Sequence, residues 1–295
     1  MGWPHWWPMR SKLRQLITAM LCLTGCMPAQ KPTNDEVQRW AAYYNSTMPE
    51  DRFEGYDLLV LDRRYHPNLD DIRGNPIILA YVSAGEVYDD VPEKETLAQA
   101  NVLLAQQPKW KSHVVDITSP LWRAMVESQV DDAIARGFDG VMLDTIDSPL
   151  DWAATNNTAR LNATSEAAIM MIEDIRTRHP HITIMLNRGF AILPVVMGHL
   201  DFVLYESLLT NPNETTGQFT FQSPSNYEQA AKKLQQMITL APRIRILTLD
   251  YWKLDDVNGL GRIYATQRGA GFIPYVSTPD LRQLAVEPDI SEFRL

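Results

Sequence analysis

The chain has 295 residues, 45% hydrophobic and 21% charged, with 14 glycines and 19 prolines. These values exclude a disordered, collagen-like or polytopic membrane chain and leave one large domain or two ordinary ones. The formal charge is −9, and setting aside Arg10, Lys12 and Arg14 of the leader leaves 24 basic against 36 acidic residues. Such a surface repels phosphate backbones, so no nucleic-acid partner is expected, and it suits a neutral or cationic ligand.

The chain opens on a leader. Arg10–Arg14 is basic, Leu16–Leu23 is mostly apolar, and Leu23-Thr-Gly-Cys26 follows. A basic region, a short apolar region and small residues before a cleavage point describe a signal peptide, too short to span a membrane stably. Its ending resembles the bacterial lipobox, in which cleavage precedes a cysteine that is then lipidated. Residues 1–25 are therefore expected to be removed and Cys26 to carry lipid at the cell envelope. Cys22 would leave with the leader, so no disulfide is expected. Residues 26–36 read as a polar tether, and residues 37–295 as one domain without a composition break.

Within that domain short apolar runs alternate with helical patterns. The runs are Trp40–Tyr44, Asp57–Leu61, Ile77–Ser83, His113–Ile117, Gly140–Thr145, Ile182–Asn187, Phe202–Glu206, Ile244–Asp250 and Gly271–Val276. The helical patterns are Glu93–Leu104, Pro120–Arg136, Ser165–Arg178, Asn226–Leu240 and Asp256–Gln267. Near-continuous apolar strands separated by helices predict parallel strands buried on both faces. The expected fold is a single-domain α/β chain, a (β/α)8 TIM-like barrel, with an open doubly wound sheet as the competing arrangement. Eight strands are needed, so His113–Ile117 is assigned to a long connection as an extra short strand.

Barrel enzymes place their chemistry where the strands end. Those ends carry Asp62, Glu86, Asp144 with Asp147, Asn187, Glu206, and Asp250 followed by Tyr251 and Trp252. An unpartnered buried carboxylate is costly. One acid after a strand is commonly a helix cap, but several converging on one barrel mouth indicate a site. Asp144 follows the helix stop and apolar run Gly137–Leu143, and Glu206 closes Phe202–Tyr205. A protonated acid and a carboxylate across a sugar are the minimum for glycoside hydrolysis. Tyr81, Tyr205, Tyr251, Trp252 and Tyr275 lie beside the acidic ends and are candidate stacking surfaces for sugar rings. Trp252 is the foremost of these. Asn187 and Asp250 are candidate partners of sugar hydroxyl or ammonium groups.

Five segments together resemble one family. Ile78-Leu-Ala-Tyr-Val-Ser-Ala-Gly-Glu86, Gly137-Phe-Asp-Gly-Val-Met-Leu-Asp-Thr-Ile-Asp147, Leu186-Asn-Arg-Gly189, Val203-Leu-Tyr-Glu-Ser207 and Gly271-Phe-Ile-Pro-Tyr275 look like glycoside hydrolase family 114. These are the endo-α-1,4-polygalactosaminidase-like barrels. The resemblance runs in order from about Trp40 to Arg282. It implies cleavage of an α-1,4-linked, galactosamine-rich polysaccharide by a retaining mechanism, with Asp144 as nucleophile and Glu206 as general acid/base. The strand ends themselves supply the substrate-binding set expected around that pair: Asp62, Tyr81, Glu86, Asp147, Asn187, Tyr205, Asp250, Trp252 and Tyr275.

Other chemistries find less support. His179-Pro-His181 has a metal-like spacing but precedes a strand, which places it on the face opposite the site. No HExxH, cysteine pair, GxGxxG, Walker A or GxSxG motif occurs, and neither metal nor cofactor is expected. The competing function is a carbohydrate-binding surface lipoprotein that uses the barrel without turnover. The partners expected are an amino-sugar polysaccharide and, through the lipid, a membrane, with the protein acting as a monomer.

Overall fold

The structure, a computed structural model, describes residues 30–213 and 216–289. The leader and residues 26–29 of the expected tether, Cys26 among them, lie outside the described residues. In chain order the strands are β1 (Trp40–Tyr43), β2 (Leu58–Asp62), β3 (Ile77–Ser83), β4 (Glu86–Tyr88), β5 (Leu103–Gln107), β6 (Ser112–Val115) and β7 (Gly140–Asp144). There follow β8 (Thr183–Asn187), β9 (Phe202–Glu206), β10 (Thr210–Asn213), β11 (Gln218–Phe221), β12 (Arg245–Tyr251) and β13 (Ile273–Ser277). The helices are α1 (Glu93–Gln99), α2 (Pro120–Ala135), α3 (Asp147–Asn156), α4 (Leu161–Arg178), α5 (Leu193–Val196), α6 (Pro224–Leu240) and α7 (Val257–Gly269).

Eight strands form one parallel sheet in the order β1-β2-β3-β7-β8-β9-β12-β13. The sheet curls into a nearly closed (β/α)8 barrel. At the seam the Trp40 indole donates to the Ile273 carbonyl at 2.9 Å, and its ring lies 5.5 Å from that of Tyr275. All eight barrel strands match runs expected from the sequence, because strands buried on both faces are almost wholly apolar. The last run begins two residues later than expected. Gly271, at φ +86°, belongs instead to the end of α7, where Phe272 N–H bonds the Gln267 carbonyl and Gly271 N–H that of Arg268. This double bond past the helix end needs the left-handed backbone that glycine supplies.

A repeated clamp holds the lower end of the barrel. Asp139, just before β7, bonds Ile78 of β3 through its backbone N–H and accepts the Ile78 N–H on its side chain at 2.8 Å. Asp201, just before β9, does the same to Ile184 of β8 at 2.9 and 2.8 Å. Asp57, before β2, bonds the Arg39 carbonyl and accepts the Gln38 and Arg39 N–H groups. Each aspartate thereby satisfies a donor at the start of the neighbouring strand that the ladder leaves open. His179, of the H-x-H pair, contacts Asp131 of α2 at 2.7 Å, alongside Arg178.

Two additions stand on the upper end. β4, β6 and β5 form a small antiparallel sheet between β3 and α2, and β10–β11 form a hairpin after β9. The run expected at His113–Ile117 is β6 and does lie outside the barrel, but within a three-stranded sheet. The helix expected to reach Leu104 stops at Gln99. Asn101 turns left-handed at φ +55°, Val102 N–H returns to the Leu97 carbonyl, and the chain leaves as β5.

Candidate active site

Side chains alternate across a strand, and this alternation builds the site. Met142 and Asp144 of β7, Asn187 of β8, Leu204 and Glu206 of β9, and Leu249 and Tyr251 of β12 all line one cleft at the upper end. The register puts Ser83 beside Asp144 and Glu206 beside Leu249, so the polar residues form the last inward layer. The cleft holds about 990 Å³ and is lined by nine carboxylates and three arginines. That is the upper end of the size range of small-molecule sites, about 300–1,000 Å³.

Its centre is a pair of carboxylates joined by one amide. Asn187 Nδ2 donates to Asp144 Oδ1 at 2.7 Å and to Glu206 Oε2 at 3.1 Å. The two oxygens therefore lie no farther apart than the sum of these bonds, about 5.8 Å. Retaining glycosidases hold their carboxyls about 5–5.5 Å apart and inverting ones about 6.5–9.5 Å. Tyr81 donates to Asp144 Oδ2 at 2.9 Å and is itself 2.8 Å from the Tyr88 hydroxyl. With its own proton on Asp144, Tyr81 accepts from Tyr88. Tyr251 donates to Glu206 Oε1 at 2.7 Å. Burial first, and then the Asp144 charge, raise the Glu206 pKa above its ordinary value, against the Tyr251 and Asn187 bonds and the Arg188 charge. Burial raises the phenols of Tyr44, Tyr81 and Tyr251 well above theirs, so these groups remain donors.

The turns behind the pair are strained. Thr145, Arg188 and Ser207 directly follow Asp144, Asn187 and Glu206 and have φ of +63°, +61° and +58°. Side chains other than glycine rarely adopt this region, at a cost of about 1–3 kcal/mol each, and such strain collects at functional sites. Here it bends the chain away at once, leaving the preceding side chain at the mouth. Thr145 is the least expected of the three, being β-branched. Its hydroxyl donates to the Asp144 carbonyl at 2.7 Å, accepts from Gly85 N–H at 2.9 Å and touches Ser83 Oγ at 2.8 Å. Gly85 fits because a Cβ there would stand 2.1 Å from the Thr145 carbonyl oxygen.

The remaining expected residues divide. Asp62 lines the cleft and accepts the Arg64 and Tyr65 N–H groups at 2.7 and 2.8 Å. Asp147 lines it from the first turn of α3 and accepts Gly189 N–H at 3.1 Å, and burial raises its pKa. Glu86 also borders the cleft, but Ser148 and Ser112 donate to its two oxygens at 2.5 Å each, so it ties α3 to β4 and β6. Four others are not in the cleft lining. Asp250 is fully buried on the opposite side of β12, accepting Leu209 and Thr210 N–H, the Thr210 hydroxyl and the Gln267 amide. Tyr205 sits on the outward side of β9 against Phe190 and Arg188. Trp252 packs under the β10–β11 hairpin against Phe221 and donates to Asp256. Tyr275 is 1% exposed, with its hydroxyl accepting Ala285 N–H. The residues missed from the sequence are Tyr44, Tyr88 and Arg188, each just past a strand or in a short one. Tyr251 was visible beside Asp250 but not as the partner of Glu206.

The family model described as "Glycoside-hydrolase family GH114" matches residues 25–292. The chain belongs to that family. By that membership it is a glycoside hydrolase. An uncharacterised protein of Deinococcus radiodurans is 30% identical over 285 residues, covering 87% of this chain and 85% of its own. The glycoside hydrolase domain of PelA from Pseudomonas aeruginosa matches with a TM-score of 0.75 at 24% identity, over 85% of this chain and 98% of that domain. Aspergillus fumigatus Ega3, solved in complex with galactosamine, matches with a TM-score of 0.62 at 15% identity, over 89% of this chain and 98% of its own. These two likenesses establish the barrel shared by the three proteins.

Proposed function

We propose that this GH114 member is a retaining hydrolase of α-1,4-linked, galactosamine-rich polysaccharide, tethered to the bacterial envelope through Cys26. The single observation that supports the mechanism is the Asn187 amide bridging Asp144 and Glu206, which keeps the two bonded oxygens within about 5.8 Å, below the inverting range of about 6.5–9.5 Å. Asp144, held by Asn187 and Tyr81, attacks the anomeric carbon. Glu206 gives its proton to the leaving glycosidic oxygen as the C–O bond breaks, which leaves a glycosyl ester on Asp144. Glu206, now ionised, takes a proton from water, the water oxygen bonds the anomeric carbon, and the Asp144 carboxylate departs.

The raised pKa of Glu206 suits its first role, because an acid must hold its proton near the working pH. Asn187 Oδ1 is buried and has no hydrogen-bond partner beside the pair. The acidic lining of the cleft suits an amino-sugar chain carrying positive charge. The galactosamine in the Ega3 complex points to the same class of sugar.

The test is to incubate purified protein with α-1,4-galactosamine polymers, acetylated and deacetylated, and follow products by mass and by the first-formed anomer in NMR. Release of galactosamine oligomers with the α anomer first is expected. A β anomer first would remove the nucleophile role of Asp144, and no cleavage of any galactosamine polymer would remove the substrate class.

A further inference from the structure

Aromatic rings in a folded chain are normally covered, since each removes a large apolar area from water. Among the described residues only two aromatic side chains are exposed, Tyr65 at 58% and Trp110 at 50%. Both line the catalytic cleft. They come from unrelated pieces of chain. Tyr65 rises from the β2–β3 connection just after Asp62, which fixes it through its backbone N–H at 2.8 Å. Trp110 sits at the turn of the β5–β6 hairpin, with its N–H bonded to the Gln107 carbonyl at 3.1 Å.

Each ring also carries a cation from the residue before it. The Arg64 guanidinium lies 5.2 Å from the Tyr65 centroid and the Lys109 ammonium 4.2 Å from that of Trp110. A cation over one face orients a ring and leaves the other face for a ligand. Near Trp110 the same wall carries Asp90 and Glu93, which suit a sugar with an ammonium group. The carboxylate pair at the centre, by contrast, is surrounded by Tyr44, Tyr81, Tyr88 and Tyr251, so Tyr65 and Trp110 serve a different part of the ligand.

We propose that Tyr65 and Trp110 are the platforms of outlying sugar subsites, each stacking on an amino-sugar unit of the polymer away from the bond being cut. This rests on the function proposed above and extends it: the cleft grips a run of units through two rings set apart from the centre. Sugar C–H faces stack on such rings without calling for one hydroxyl pattern, so these subsites grip the chain while the centre selects the sugar.

The experiment compares wild type with Trp110→Ala, Tyr65→Ala and the double variant on long galactosamine polymer, on short oligomers and on an aryl galactosaminide. The double variant should raise KM for the polymer at least about tenfold and leave kcat/KM on the aryl substrate within about twofold. Its products should shift in length, and Trp110→Phe should keep most of the wild-type KM. Unchanged polymer KM and products would overturn the proposal, as would an equal loss on polymer and aryl substrate. Polymer binding measured in a Glu206→Gln background keeps the two readings apart. If wild type cuts no galactosamine polymer, the proposed function fails. A loss of polymer binding with the two rings would still support the platforms, and unaltered binding would overturn them.

Discussion

Under the proposed mechanism Glu206 is an acid in the first half of the reaction and a base in the second, and its surroundings pull it both ways. Burial and Asp144 favour its protonated form, while the Tyr251 and Asn187 donors and Arg188 favour the ionised one. Loss of its proton removes the acid, so activity falls on the alkaline side as pH rises through its raised value. Tyr251→Phe deletes a donor that stabilises the ionised form. The folded pKa of Glu206 then rises further, and the alkaline limb of kcat/KM moves to higher pH. A pH–rate profile of Tyr251→Phe with its limb unmoved, or moved lower, would exclude Tyr251 as the group that tunes the acid. At this scale Asp144, Glu206, Asn187 and Tyr81 were legible in the sequence because each ends or sits inward on an apolar run. Asp250 was misread for a single reason. Its strand runs one residue farther, to Tyr251, and a one-residue change of register turns a side chain to the other face. Tyr205 is excluded by the same rule, since it adjoins the inward Glu206.

The strands divide their labour by end. Their upper ends line the cleft, with three consecutive sheet neighbours, β7, β8 and β9, leaving through left-handed residues. Their lower ends are clamped by Asp57, Asp139 and Asp201. Asp139→Ala leaves the Ile78 N–H and the Lys31 ammonium without their acceptor. It should cost about 1–3 kcal/mol of stability and leave kcat per folded molecule unchanged. Urea unfolding beside active-site-normalised rates checks both parts, and lost turnover at full stability would refute the division. The barrel strands and α2, α4, α6 and α7 were legible because their apolar spacing matches their burial. Of the upper additions only β6 was. β5 reads Leu-Leu-Ala-Gln-Gln with no β-branched residue and is nowhere fully buried, and β10 contains Asn-Pro-Asn. Both are strands because a partner lies beside them, which local composition does not encode.

At the scale of the molecule, one end of the barrel holds the cleft and the chain enters at the other. Lys31 and Asn34 bond Asp139 and Asp201 at the lower end, so residues 31–34 lie on the face opposite the site. A lipid on Cys26 would then present the open cleft away from the membrane, toward polymer. No helix among the described residues is long and apolar enough to cross a membrane. Cys26→Ala should therefore shift the protein from the membrane fraction to the soluble one, or block processing of its leader, while the barrel stays intact. Fractionation identical to wild type would contradict the tether. The central claim remains that Asp144 becomes covalently attached to sugar. Glu206→Gln, given a galactosaminide with a good leaving group, needs no acid to form the ester but lacks the base to hydrolyse it. Intact-mass measurement of that variant during turnover should show one added glycosyl unit, mapped by peptide sequencing to Asp144. Turnover of the same substrate with no adduct, or an adduct on any other residue, would contradict the account.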